Sequence, residues 1–478
     1  MTGGLKPYYG IAIALFMAIL ALCYSQPIAR LFDNISIDHN EGWNAFQVSN
    51  LLNNKPLYPA YNELVSNNYP PLSFYLSAGL ATLPGDALIT MRILSLISLF
   101  TVAGLLGACI REMGGRGDVA LTISLFFLVF IAMVAGHYVG MADPQWLAHA
   151  AQLFGLYLLL KSKNMGPLFY LSIVMMVAAG FIKHNLIVLP IAVFLWLLVS
   201  DRTAASRFMA TGLLATGFFL FTFTMIHGMN FLQGLFLDCR EWHLDRILKM
   251  VYRRLTPVLA VLMLGTLGCA LLPYSGIPIL LFFYFILACV WGAFISGGSG
   301  VDVNALFDFV IAAALIGSAL LRHADRIECR KHSQVSLVPV LVLVVLVTAV
   351  AVPLPYKMMK VREFWKTREL RIETVADDIR YLSNAQGPAM CETLALCYWA
   401  GKTFEVDSFM TDQKIRAGVI SHSKLTTLIE SGYFSVIQLE HDGGKSDRFD
   451  DIVNRAILDH FHTDRKSAFS GTFLVRNK

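Results

Sequence analysis

The chain has 478 residues, 56% of them hydrophobic and only 15% charged, with a formal net charge of +5 and a mean hydropathy of +0.60. Soluble domains carry about 25% charged residues, so a freely soluble globule is excluded, and the small positive charge carries no message about nucleic acid. The apolar residues come in long blocks, which predicts a polytopic α-helical membrane protein.

Apolar runs long enough to span fall at 8–28, 87–110, 118–136, 144–161, 166–182, 186–200, 207–226, 257–272, 278–295, 304–321 and 335–354. That makes about eleven spans. The first run follows Lys6 and has no small-residue cleavage site, so it reads as a retained span rather than a signal peptide. Lys6, Arg111 with Arg116, Lys161 with Lys163, Arg202 with Arg207, and the cluster Arg322, Arg326, Arg330 and Lys331 fall on one side. Positive charge in short loops marks the cytoplasm. The N-terminus is then inside and the C-terminal part outside, dividing the chain into a transmembrane domain, 1–355, and a soluble extracytoplasmic domain, 356–478.

The first outer loop, about 29–86, opens with "ISIDHNEGWNAFQ". Asp38 and Glu41 have the spacing of a helix capping box, and a carboxylate at a membrane face can also serve as a general base. Trp43, Tyr58, Tyr61, Tyr69 and Tyr75 suit the headgroup level. Pro70 and Pro71 predict the start of a second short helix.

Further along, "GHYVGMADPQWLAHA" places Asp143 before Pro144, a helix start, with His137 and His149 nearby. Carboxylates and imidazoles together also allow a divalent metal ion. Lys183 and His184 occupy a short outer turn. A second long outer loop, about 227–256, carries Arg240, Arg246, Lys249, Arg253 and Arg254 against Asp238, Glu241 and Asp245. Cations are normally depleted on this side, so they either hold an anion or belong to a helix touching lipid headgroups. Trp242, Arg246, Lys249 and Arg253 share one helical face.

The tail predicts a polar helix at about 361–384, a strand at "GPAMCE", helices near 393–400, 411–431 and 448–461, and strands at "YFSVIQLE" and "GTFLVRN". Such alternation implies a small α/β layer. Cys391 and Cys397 could pair, but buried free thiols are the expectation. No GxGxxG, P-loop, GxSxG or internal repeat is present.

Carboxylates, cations and aromatic rings gathered on one outer face are the parts needed for glycosyl transfer from a lipid phosphate. A base takes the acceptor proton, cations neutralise the leaving phosphate, and rings line the sugar. Asp38 is the expected base, with Glu41 orienting it or the acceptor.

The segments "DHNEGWNAFQVSNLLNNKPLY", "NNYPPLSFYLSAGL", "RILSLISLF", "ADPQWLAHAAQLFGLYLLL" and "FIKHNLIVLPIAVFLWLL", in that order, resemble the GT-C glycosyltransferases. The likeness is to the family-39-like branch of protein O-mannosyltransferases and the lipid A aminoarabinose transferase. It covers about residues 1–355 and implies an acidic base in the first outer loop, mapping to Asp38 or Glu41. Many members have adjacent Asp-Glu, whereas here Asn40 precedes Glu41 and the Asp stands at position 38. The resemblance makes Asp143 the second acidic site, beside His137, where some members show a divalent metal ion. The aminoarabinose transferase has Glu-Lys before its two prolines; Asn68 and Tyr69 stand there in this chain. The donor phosphate then falls to Lys183, Arg253 or Arg254, with His184 and Arg246 nearby. Trp43, Asn68 and Tyr69, with Asp302 and Asn304 of "SGGSGVDVNALFDF", are the expected sugar or acceptor pocket.

The implied activity is inverting transfer of one sugar from a polyprenyl-phosphate donor to an extracytoplasmic lipid A or lipopolysaccharide, glycolipid, polysaccharide or protein. The expected location is the outer face of a bacterial inner membrane. The sequon at Asn34 beside the site favours a bacterial setting, because a glycan there would obstruct it. The alternative is a transporter or flippase for lipid-linked glycans.

Overall fold

The computed structural model describes residues 6–82, 86–162, 164–237, 240–330, 337–441 and 445–477. Lys163, Asp238 and Lys331, and the side chains of Arg326, Cys329 and Arg330, lie outside the described residues. Among the described residues, seven helices are long and apolar enough to cross a membrane: Pro7–Phe32, Ala87–Glu112, Gly117–Val134, Arg202–His227, Ile277–Ser296, Val303–Ala324 and Val338–Asn384. A bent pair, Leu244–Arg253 and Pro257–Leu271, meets at 92° and adds an eighth if counted as one span.

The expected spans at 144–161, 166–182 and 186–200 are the helices Gln145–Lys161, Pro167–Ile182 and Val188–Ser200, of 17, 16 and 13 residues. At 1.5 Å per residue the second is about 24 Å long, short of a hydrocarbon core of about 30 Å. These three expected segments are helical and shorter than the seven long helices. Val303–Ala324 is the centre of the bundle, with 83% of its apolar window buried. Arg202–His227, with 6% buried, turns its apolar face outward.

The first outer loop folds as expected into helices His39–Leu52 and Leu72–Ala81. Asp38 caps the first by accepting the Asn40 N–H at 2.9 Å. Glu41 accepts the N–H of Ile37 at 2.8 Å, closing the box one residue earlier than the usual pattern.

The tail begins as a single helix, Leu354–Asn384, so the boundary at 355/356 falls inside a continuous element. Four strands follow: β1 (Ala389–Cys391), β2 (Val436–Leu439), β3 (Phe461–Ser467) and β4 (Gly471–Arg476). Their order is β1-β2-β4-β3, parallel between β1 and β2 and antiparallel elsewhere. The helix expected at 411–431 is two, Ser408–Arg416 and Ser423–Glu430. Gly418, at φ 71°, supplies the left-handed residue that ends the first. Cys391 and Cys397 form a disulfide, Cα to Cα 6.0 Å, instead of the expected free thiols, because the turn after β1 folds the helix Leu394–Trp399 back over it.

One hydrophobic cluster runs through both parts. Trp43, Phe46, Phe74 and Leu88 pack in the same core as Leu382, Leu394, Val436 and Phe473. Phe46 stacks on Phe404 with ring centroids 4.9 Å apart. Helix Leu394–Trp399 crosses His39–Leu52 at Gly42, where any Cβ would collide with the backbone of Leu394 and Ala395.

Candidate active site

Glu41 is fully buried and is not part of the lining of the Asp38 cavity. Arg92, equally buried, binds it through Nε to Oε1 at 2.9 Å and Nη2 to Oε2 at 2.7 Å. The Ala142 N–H donates to the same carboxylate at 2.9 Å, as does Ile37. Arg92 also donates to the carbonyls of Asp33 and Ile35, both at 2.7 Å. A carboxylate has about four acceptor directions, and donors fill them. Glu41, expected to orient Asp38 or the acceptor, is thus engaged with Arg92 and backbone donors and ties the first loop to the bundle.

Asp38 is differently placed. Its Oδ1 caps the helix, and the described residues make no hydrogen bond to Oδ2. The side chain lines a cavity of about 200 Å³. Burial raises the Asp38 pKa above the usual carboxylate value; the Asn40 N–H and His137 oppose this, while Asp302 and Glu41 add to it. Trp43, Asn68 and Tyr69 line the same cavity, as expected. The Trp43 indole N–H donates to the Ser66 carbonyl at 3.1 Å, and its ring meets Tyr69 edge-on at 4.8 Å. The lining also includes His39, Arg240, Asp302, Asp407, Phe409 and Arg448.

Asp143 and Lys183 are a buried ion pair, Nζ to Oδ2 at 3.0 Å. Asp143 also accepts the Gln145 N–H at 2.8 Å. The Lys183 ammonium lies 3.6 Å from the centre of the Tyr69 ring, a cation–π contact. Lys183 is thus behind Tyr69 rather than in the cavity. His184 meets the other side of Tyr69 at 6.2 Å and lines a separate, apolar cavity of about 500 Å³, together with Pro70 and residues of helices Pro167–Ile182, Val188–Ser200 and Arg202–His227.

Asp302 joins two spaces. It lines the Asp38 cavity and a larger one of about 890 Å³ whose wall holds Arg246, Lys249, Arg253 and Arg254. His137 Nε2 lies 2.5 Å from one Asp302 oxygen and Arg254 Nη2 3.2 Å from the other. Burial raises the Asp302 pKa, but the His137 hydrogen bond and the charges of His137 and Arg254 outweigh it, and the net shift is downward. Asn304 is held off the Asp38 cavity by Gln145, Nδ2 to Oε1 at 3.0 Å. The cations expected to form one phosphate site therefore separate: Lys183 and His184 flank Tyr69, while Arg246, Arg253 and Arg254 lie beyond Asp302.

Among the described residues no group of three His, Cys, Asp or Glu side chains is placed to hold a metal ion. Lys183 and Gln145 occupy Asp143, and His137 and Arg254 occupy Asp302, so this donor set does not fit a divalent ion.

No protein-family model matches the chain and no curated protein matches it in sequence. In three dimensions it is similar to ArnT of Cupriavidus metallidurans in the apo state, with TM-score 0.62 over 97% of each chain at 13% identity. ArnT bound to undecaprenyl phosphate gives 0.61 over 98% of each at 12% identity. The oligosaccharyltransferase of Archaeoglobus fulgidus tethered with an acceptor peptide gives 0.57, covering 99% of this chain and 74% of that one at 9% identity. The chain shares the fold of these proteins.

On this fold, sequence reasoning left several cavity residues out of the site. Arg240 was visible in the second loop but not distinguished from its neighbours. Arg92 carried a usable signal, since an ionisable residue inside a span marks a site or its support. Asp407, Phe409 and Arg448 had none, because only the tertiary fold brings them to Asp38.

Proposed function

We propose that the protein is an inverting glycosyltransferase that moves one sugar from a polyprenyl-phosphate donor to an acceptor on the extracytoplasmic face of a bacterial inner membrane. The observation that carries this reading is Asp38, a half-buried carboxylate lining a cavity whose Tyr69 wall adjoins, through His184, an apolar groove. An apolar groove suits a polyprenyl chain, and the cavity beside it suits the sugar.

The acceptor hydroxyl attacks the anomeric carbon as Asp38 takes its proton. The bond from that carbon to the phosphate oxygen breaks on the opposite face, and its electron pair leaves with the phosphate. A single displacement inverts the centre. Arg240 lines the cavity and meets the growing phosphate charge, with Tyr69 and His184 at the groove side. Lys183 acts through Tyr69, holding its ring between ammonium and cavity. Asp143 keeps Lys183 in place.

The orientation, Lys6 inside and residues 356–478 outside, is supported by two features. Lys6 and Asp118, and Arg322 and Met113, are bonded at one end of the bundle, with cations as positive-inside loops require. The tail carries a disulfide, which persists in oxidising compartments. Mass analysis of envelope glycans from a deletion strain tests the activity. Loss of a single sugar is expected; accumulation of complete lipid-linked glycan on the cytoplasmic side would instead make the protein a flippase.

A further inference from the structure

Much of the wall around Asp38 comes from the C-terminal domain. Asp407 is 2% exposed and caps helix Ser408–Arg416 by accepting the Met410 N–H at 3.0 Å through Oδ1. The described residues make no hydrogen bond to its Oδ2, although the residue lines the cavity. A carboxyl oxygen on a cavity wall with no protein donor is free to accept from a ligand. Beside it, the Phe409 ring packs on Gly300, whose φ is 74° and where a Cβ would lie 2.6 Å from the ring. Arg448 enters the same cavity, steadied by Glu440 at 3.0 Å.

This wall is fixed rather than hinged. The Asp407 N–H donates to the Leu64 carbonyl at 2.9 Å, the Thr411 hydroxyl donates to the same oxygen at 2.7 Å, and Lys414 donates to the Glu63 carbonyl at 2.8 Å. Thr411, Gln413 and Lys414 are all buried in this contact.

A carboxyl oxygen that lacks a donor, an aromatic face and a guanidinium suit a ring bearing several hydroxyls. A peptide could offer a backbone N–H to Asp407, but it lacks the run of adjacent hydroxyls on a ring face that Asp407, Phe409 and Arg448 match together. We propose that Asp407, Phe409 and Arg448 form the acceptor subsite and that the acceptor is a saccharide, held with one hydroxyl toward Asp38. This rests on the transferase reading for its name as an acceptor site, while the binding itself is measurable without turnover.

The full chain in lipid nanodiscs is titrated by tryptophan fluorescence, Trp43 being in the cavity wall. The probes are octyl glucoside, octyl galactoside and octyl glucosaminide below their micelle concentrations, a short acetylated Ser/Thr peptide, and undecaprenyl phosphate. At least one glycoside should saturate. Asp407→Asn, Phe409→Ala and Arg448→Gln should each weaken it by about tenfold or more, the loss expected for a hydrogen bond to a charged group or a buried ring contact. Undecaprenyl phosphate should bind Asp407→Asn and Arg448→Gln as it binds the parent, and these two variants decide the comparison because the Phe409 ring also packs on Arg240 at 5.8 Å. Asn caps a helix about as well as Asp, so a loss in Asp407→Asn is not a folding defect. The proposal is overturned if no glycoside saturates, if only the peptide does, or if undecaprenyl phosphate affinity falls in parallel. Saccharide binding without sugar transfer would sink the transferase reading and leave this subsite standing.

Discussion

Asp38 and Glu41 sit three positions apart and do different work. If Asp38 is the base, Asp38→Asn keeps the cap yet should lower turnover by about 10²–10⁴-fold, whereas a residue that only caps would tolerate Asn. A purified enzyme with lipid donor distinguishes the two, and a fully active Asp38→Asn enzyme would remove Asp38 from the chemistry. The pH profile gives an independent check. Burial holds the Asp38 proton to higher pH than an ordinary carboxylate, and the base works only when deprotonated. Activity should therefore rise with pH through a limb displaced above the usual carboxylate range. For Glu41 the expected loss is in stability. Arg92→Gln leaves a fully buried carboxylate short of its cation, a change that costs about 3–5 kcal/mol, and the unfolding midpoint in detergent should drop accordingly. At this scale the sequence was half legible. The Asp38 cap could be read from local spacing, but the partner of Glu41 lies 51 positions away, and no local pattern announces it.

Among the elements, the long apolar helices were legible because their composition alone demands them. β3 was not. "FHTDRKS" is mostly polar because β3 lies at the sheet edge and exposes much of its length, which is how edges avoid pairing with other chains. The split of the expected 411–431 helix was readable in principle from Gly418. The crossing at Gly42 yields a sharp comparison. Gly42→Ala should push helix Leu394–Trp399 off His39–Leu52, speeding proteolysis of the tail and abolishing transfer. Gly79→Ala, in a neighbouring helix where nothing lies within 4 Å of the added carbon, should be neutral or gain about 0.5–1 kcal/mol. Equal resistance of both variants to protease would show that the crossing can relax.

For the whole molecule, orientation is the first thing to test. In a cysteine-free background, a cysteine at Lys6 should resist a membrane-impermeant thiol reagent in intact protoplasts, and one at Asp447 should label. The reverse result would turn the site toward the cytoplasm. Composition made the membrane character plain, and the order of motifs suggested the fold. The sequence held no sign that tail and first loop share one core, since pairing across such a separation is decided by packing alone. That shared core has a consequence for biogenesis. Asp38 leaves the ribosome early, but Asp407 and Arg448 follow only after almost every transmembrane helix has been made. On the proposed transferase reading, a nascent chain therefore carries Asp38 long before the rest of the cavity exists, and insertion can proceed with no complete site in the membrane until the tail has folded back onto the loop.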